Sequence, residues 1–307
     1  MSIVMQPNIS EPRQAYSRGD IIIQLLTNIN PNLARSEIIE IAYDIQTGSY
    51  TRIVVDNPGR LKGYAYEIYE AVKQYLAEHD VILDCGAGEL TTLSALSDHL
   101  PAQCQLLTCD ISLSRLKVGR RFAERIMRGD LARKLSLFVA DIARLPLADS
   151  SVDVVFTSHA LEPNHGRERE LLAELLAELL RVARRQLLLF EPSWENADEL
   201  VRARMEQHGY VRDLPQHIDA AGGRLVSVEP LPNPLNPQNP TYCYVVEPAN
   251  KENQPSFAGQ AFQCPRSGHP LHRQQSYWWN QEGGWAYPEI DGIACLREKH
   301  GVLMSHA

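Results

Sequence analysis

The chain has 307 residues, 44% apolar and 22% charged, with a formal net charge of −8 at pH 7. That balance excludes a disordered or fibrous chain, and the length fits one full core plus a smaller unit, since single cores stop growing near ~250–300 residues. The acidic balance repels a phosphate backbone, so a nucleic-acid partner is disfavoured unless a local basic patch attracts it.

The opening stretch "MSIVMQPNISEPRQAYSRGD" has no basic segment leading into a long apolar core. No run anywhere approaches ~18 uninterrupted apolar residues, so a cytoplasmic protein with no membrane contact is expected. Cysteines 85, 104, 109, 243, 264 and 295 are then read as reduced and mostly buried thiols. Residues 1–62 are read as an N-terminal helical and lid segment, with "NINPN" a turn and a helix over 31–45. A second helix over 63–79 leads into a regular alternation. "VILDC" reads as a strand, 90–99 as a helix, "QCQLLTC" as a strand, 112–128 as a helix, and "LSLFVA" and "VDVVFTS" as strands. A helix over 167–184 and the strand "QLLLFE" follow, then a helix over 195–208. Apolar runs separated by amphipathic segments of helical length indicate βαβ units, an α/β doubly wound domain with a mostly parallel sheet. "GRLVSVEPLP" and "TYCYVVEP" have no helix between them, only "NPLNPQNP", so this closing pair is expected to be antiparallel. The core domain is placed at 63–248, a polar linker at 249–260, and a small β-rich unit at 261–307 that carries three of the four tryptophans.

"VILDCGAGEL" is a strand that breaks into glycines before a helix, a ready cradle for a nucleotide. Gly86 and Gly88 are followed at the third position by Thr91, which leaves the dinucleotide fingerprint incomplete. The carboxylate of Asp84 sits badly beside a pyrophosphate and suits a cationic ligand instead. Glu89 is read as starting the next helix, where its charge complements the dipole.

"VILDCGAGELTTL" resembles motif I of the class I S-adenosylmethionine-dependent methyltransferases, and the likeness continues downstream. It implies S-adenosyl-L-methionine as cofactor, cradled by Gly86, Ala87 and Gly88 beside Asp84, with a Rossmann-like, seven-stranded sheet. Asp110, 22 residues beyond Gly88, falls where the family keeps an acidic group for the ribose hydroxyls. "VADIARLPLADSSVDVVFTSHAL" is similar to the next two family segments. There Asp141 would accept from the adenine amino group, Ile111 and Ile142 would pack on the adenine faces, and Ser158 would meet the cofactor at the strand end. His159 is the candidate catalytic residue, either as general base or as a contact that orients the cofactor. Glu162 and Asn164, with His165 nearby, are expected on the acceptor side, although Glu162-Pro163-Asn164 is not the N/D-P-P-Y/F of amino-group nucleobase methylases. Glu191, in Glu191-Pro192-Ser193-Trp194, is expected to line the acceptor pocket. Tyr43 and Tyr50, in "YDIQTGSYTRI", are placed on a lid that closes over cofactor and acceptor.

"CPRSGHPL" and "AYPEIDGIACL" resemble the small zinc-ribbon-like activator proteins of tRNA, ribosomal RNA and release-factor methyltransferases. Only Cys264 and Cys295 lie here, so the paired C-x₂-C ligands do not carry over and no metal is expected. The unit is expected to pack on the larger domain by burying Trp278, Trp279 or Trp285. Together these readings imply a methyltransferase that acts on a small-molecule biosynthetic intermediate, with a homodimer left open. Methylation of RNA or protein is the alternative enzyme reading, and a non-catalytic cofactor-binding subunit the alternative of another class.

Overall fold

The computed structural model describes residues 9–161, 169–249 and 262–306. Strands β1 (Val81–Cys85), β2 (Gln105–Asp110), β3 (Leu135–Val139), β4 (Val152–Ser158), β5 (Ala183–Glu191), β6 (Gly223–Pro230) and β7 (Tyr242–Pro248) run side by side as β6-β7-β5-β4-β1-β2-β3. The five central strands pair in parallel, and β7 pairs antiparallel with β5 and β6, as the missing helix before β7 requires. The central strands are continuous apolar runs because both faces are covered. Val81, Leu83 and Cys85 enter one core and Ile82 the other.

The expected limit of seven strands is not what forms. β11 (Ile293–Cys295) pairs in parallel with β3, and β10 (Trp285–Ile290), β9 (Tyr277–Asn280) and β8 (His272–Arg273) continue beyond it, with β12 (Val302–Leu303) on β10. Among the described residues the sheet therefore has twelve strands. The physical reason is the free edge of β3, whose unpaired N–H and C=O groups are a template for another strand. The C-terminal segment shares a core with the larger domain: Phe262, Leu271, Tyr287 and Leu296 belong to the same buried cluster as Phe138 and Leu145. Its seam is not the buried tryptophan expected. The Phe262 ring lies 5.0 Å from Phe138 and 4.8 Å from Trp278, while the three tryptophans are only half-buried.

Helices α1 (Ser10–Ser17), α2 (Ile22–Ile29) and α3 (Arg35–Ile45) gather around Ala15, Ile22, Leu26, Ile38 and Ala42, a small core of their own. Gly48, at φ +91°, reverses the chain into α4 (Ser49–Asp56), which buries none of its residues. Pro58 opens α5 (Pro58–Val72), so a single helix runs across the boundary drawn at residue 62. The other α-helices among the described residues are α6 (Thr91–Leu96), α7 (Leu113–Ile126), α8 (Gly129–Ala132), α9 (Arg169–Val182), α10 (Glu199–His208) and α11 (Leu214–Ala220). Leu172, Leu175, Leu176, Leu179 and Leu180 of α9 are buried on one face against the sheet, as their spacing predicts. All six cysteines are free and buried. Among the described residues no helix is long and apolar enough to cross a membrane.

Candidate active site

The strand order reverses at β1, between β4 and β2, and open α/β sheets bind ligands at the carboxyl ends of strands beside such a point. The turn after β1 is fastened there. Gly86 N and Ala87 N both donate to Cys109 O, at 2.9 and 3.0 Å. Gly86 and Gly88 have positive φ, and a Cβ on Gly86 would strike Ala160, while one on Gly88 would strike the Arg115 guanidinium. Glycine is thus required for conformation and for space.

Asp110 organises the next strand end. Its Oδ2 accepts from Gly88 N at 2.8 Å and its Oδ1 from Ser112 N at 2.9 Å. Each carboxylate oxygen has a second lone pair, so the group can still accept from a ligand. Arg115 Nη1 lies 3.9 Å from Asp110 Oδ2, and its guanidinium stands over the rings of Tyr43 and Tyr50 at 4.9 and 5.1 Å. Burial, the largest single influence, opposes the Arg115 charge, but Asp110, Tyr50, Tyr43 and Glu89 together outweigh it and keep the guanidinium more firmly protonated than usual. Asp84, buried beneath the turn, is held well above the ordinary carboxylate range by desolvation, with the charge of Asp110 adding to it.

Glu89 departs from its expected role. Leu90, at φ +55°, is itself the N-cap of α6. The Glu89 side chain caps α4 instead, its Oε1 accepting from Gly48 N and its Oε2 from Thr51 N, both at 2.8 Å. The glycine turn is thereby tied to the N-terminal segment that carries Tyr50. A second tie runs from Ser112 Oγ to Asp44 Oδ1 at 2.8 Å.

Asp141 follows β3, its Oδ1 accepting from Ala143 N at 3.1 Å and its Oδ2 lying 3.6 Å from Arg297 Nη2. Arg297, buried and C-terminal to β11, also pairs with Glu40 of α3 and donates to Ser36 Oγ at 3.3 Å. Beyond β4, His159 sits at φ +54° with its N–H on Phe190 O. The Asn239 amide faces its Nδ1 at 3.3 Å and Thr241 Oγ1 its Nε2 at 2.8 Å. With Asn239 donating, the ring is the Nε2–H tautomer and its Nδ1 lone pair is engaged.

One cavity of about 720 Å³ is lined by Tyr43, Tyr50, Gly86, Ala87, Asp110, Ile111, Asp141, Ile142, Ser158 and His159, ten expected residues from six separate segments. Asp84 and Gly88 support it from behind and do not line it. Glu191 does not reach it either, contrary to the acceptor role expected. Fully buried, its Oε1 accepts from Thr157 Oγ1 at 2.8 Å, Ala160 N at 3.0 Å and Leu161 N at 3.1 Å, so it anchors the loop after β4. Glu162, Asn164 and His165 lie outside the described residues. Arg60, Arg115, Arg204, Asn236 and Asn239 also line the cavity and escape sequence reasoning. Arg115 carries a faint signal in being three residues beyond the N-cap Ser112; the others lie far along the chain from any motif.

Residues 82–186 match the family model described as a methyltransferase domain. Among curated proteins, the demethylmenaquinone methyltransferase of Thermobifida fusca (strain YX) is 33% identical over 127 residues, 41% of this chain and 48% of that protein. The malonyl-[acyl-carrier protein] O-methyltransferase of Marinomonas sp. (strain MWYL1) is 36% identical over 88 residues, 28% of this chain and 30% of that protein. The chain thus spans about half or less of the length of these relatives. Among solved structures, magnesium protoporphyrin IX methyltransferase from Synechocystis PCC 6803 superposes with a TM-score of 0.50 at 14% identity, covering 68% of this chain and 98% of that one. That likeness shows the fold, an α/β methyltransferase fold whose core sheet is mostly parallel.

Proposed function

We propose that the protein is an S-adenosylmethionine-dependent methyltransferase that acts on a small-molecule biosynthetic intermediate. The observation that carries this reading is the convergence of the glycine turn, Asp110 and Asp141 on one cavity at the switch point of the sheet. The residues present fit the cofactor. Gly86 and Ala87 leave backbone room for its aminoacyl end, and the Asp110 carboxylate beside the turn favours a cationic ligand there, with Asp84 buried beneath as a support. Asp110 would accept from the ribose hydroxyls and Asp141 from the adenine amino group, and Ile111 and Ile142 would pack on the adenine faces. When bound, the cofactor supplies an electrophilic methyl group on a sulfonium. The chain's own part is to hold the acceptor atom in line with that methyl and to exclude water, which makes the encounter effectively unimolecular. No dedicated base is required, which agrees with a His159 ring already held by Asn239 and Thr241.

The dimensions of the cavity support a small acceptor over a polymer. It has walls from α3, α4, α5, α10 and the loop 233–240, and a volume within the ~300–1,000 Å³ of small-ligand clefts. The curated relatives, named for menaquinone and malonyl-carrier methylation, lend the same support. The C-terminal unit is read as a fused accessory module whose Arg297 steadies Asp141. Calorimetric titration with S-adenosylhomocysteine tests the reading: a saturable one-site isotherm is expected, and Asp110→Ala should weaken it at least tenfold, from loss of charge-assisted hydrogen bonds of ~1.5–3 kcal/mol. No binding to the unaltered protein would sink the reading.

A further inference from the structure

Resting on the methyltransferase reading, the remainder of the same cavity indicates what the acceptor carries. The carboxylates that line the cavity among the described residues are Glu89, Asp110 and Asp141, and each is already committed. Glu89 caps α4, Asp110 faces Arg115, and Asp141 faces Arg297. Two lining arginines have no such counterpart. Arg60, on α5, donates from Nη2 to Pro234 O at 3.3 Å, and Arg204, on α10, donates from Nη1 to Gln238 Oε1 at 3.2 Å. Both partners are neutral and both lie on the loop 233–240. Neither arginine is in an ion pair among the described residues, and the Arg204 Nε is buried with no hydrogen-bond partner. A guanidinium has five N–H donors, so each fork keeps most of its capacity.

The loop that holds them is itself fixed at both ends. Asn233 N donates to Glu67 Oε2 of α5 at 2.9 Å, and Thr241 and Asn239 grip the His159 ring. Leu235, Asn236 and Asn239 from this loop line the cavity together with Val54 and Leu61, giving an apolar wall with amide groups and two cations. In a chain with a net charge of −8, two uncompensated guanidinium groups on one cavity wall form an arrangement that an anion completes.

We propose that the acceptor is a small molecule with an apolar body and one anionic group, a carboxylate or a phosphate, bound by Arg60 and Arg204. The apolar body packs on Val54, Leu61 and Leu235, while the anionic group takes the donors that the loop leaves free.

The test is calorimetry on the full chain saturated with S-adenosylhomocysteine, using octanoate, octyl phosphate, octanol and octylammonium as probes of one chain length. Selective binding of octanoate or octyl phosphate is expected, and the stronger of the two assigns the anionic group. Arg60→Gln and Arg204→Gln should each weaken that binding about tenfold, and the double variant should abolish the preference over octanol. Affinity for S-adenosylhomocysteine should stay within twofold, which also shows that the variants are folded. Equal binding of octanol and octanoate, anion binding that survives the double variant, or no probe binding at all would each overturn the proposal while leaving the methyltransferase reading intact. Tighter, steeply salt-dependent binding of a short single-stranded RNA would overturn it in favour of a polymeric acceptor. Failure of S-adenosylhomocysteine itself to bind removes the underlying reading, and the proposal with it.

Discussion

Asp84 shows how one residue's chemistry is set by where the strand ends. In the sequence it is a carboxylate before a glycine turn, and that much indicated a cationic ligand. The structure adds that it is buried, 3% exposed, and that its carboxyl is held well above the ordinary range by desolvation and then by Asp110. The folded protein therefore binds this proton more tightly than the unfolded chain. Its contribution to stability is complete below the ordinary carboxylate value of ~4 and is lost as pH rises through the raised value. Asp84→Asn keeps the shape and removes the ionisation. The difference in thermal midpoint, variant minus unaltered protein, should grow more positive as pH rises from ~4 toward neutrality; a flat difference would show that Asp84 does not titrate above its ordinary value. Asp110, Asp141 and the glycines were legible because each stands at a strand end in a fixed motif. Arg60, Arg204 and Arg297 were not, since an arginine on a helix or after an edge strand looks like any solvated charge until the fold brings it to the cavity.

At the scale of elements, the long alternating runs were legible because strands buried on both faces and helices with one apolar stripe leave unmistakable periods. The short helices were not. α4 buries no residue: its short stripe of Tyr50, Ile53 and Val54 faces the cavity and not a core, so its stability is borrowed from elsewhere. Part of it comes from Glu89, which satisfies two of the N–H groups that an isolated helix start leaves open. Glu89 was legible as a helix-start carboxylate but assigned to the wrong helix, because nothing local shows that Leu90 takes a left-handed conformation and serves as the N-cap of α6 itself. Glu89→Ala should cost about 1–2 kcal/mol, the scale of losing a helix cap, with the damage confined to α4. Hydrogen exchange is the measurement. Amides of residues 48–56 should lose protection while those of β1 retain it, and Glu89→Gln, which keeps one acceptor oxygen, should fall between. Uniform loss of protection in both elements would mean that Glu89 holds the glycine turn rather than α4.

For the whole molecule, the decisive feature is that the strands of the C-terminal unit continue the sheet of the larger domain. A unit of this size has a marginal core alone, and β11 resolves that by pairing with β3, so that one cluster runs from Leu83 through Phe138 to Tyr287 and Leu296. The composition of the segment showed that it needed a neighbour, but no pattern in three residues of strand could show which edge it would take. Arg297 then links three distant parts of the chain, being C-terminal itself and paired with Glu40 of the N-terminal helices and with Asp141 of the cavity. Its side chain is 6% exposed, so removing the cation leaves the partly buried Asp141 carboxylate without its positive neighbour and Glu40 with Lys299 alone. Arg297→Met should therefore cost about 2–4 kcal/mol in a urea titration. Arg144→Met is the control, because the Arg144–Glu298 pair spans the same seam but is exposed on both sides, at 58% and 46%, and pairs of that kind contribute roughly 0–1 kcal/mol. If the two variants unfold at the same urea concentration, Arg297 is one more surface cation at the seam. If Arg297→Met alone shifts the midpoint and also weakens S-adenosylhomocysteine binding, the C-terminal strand and the cavity are parts of one cooperative structure.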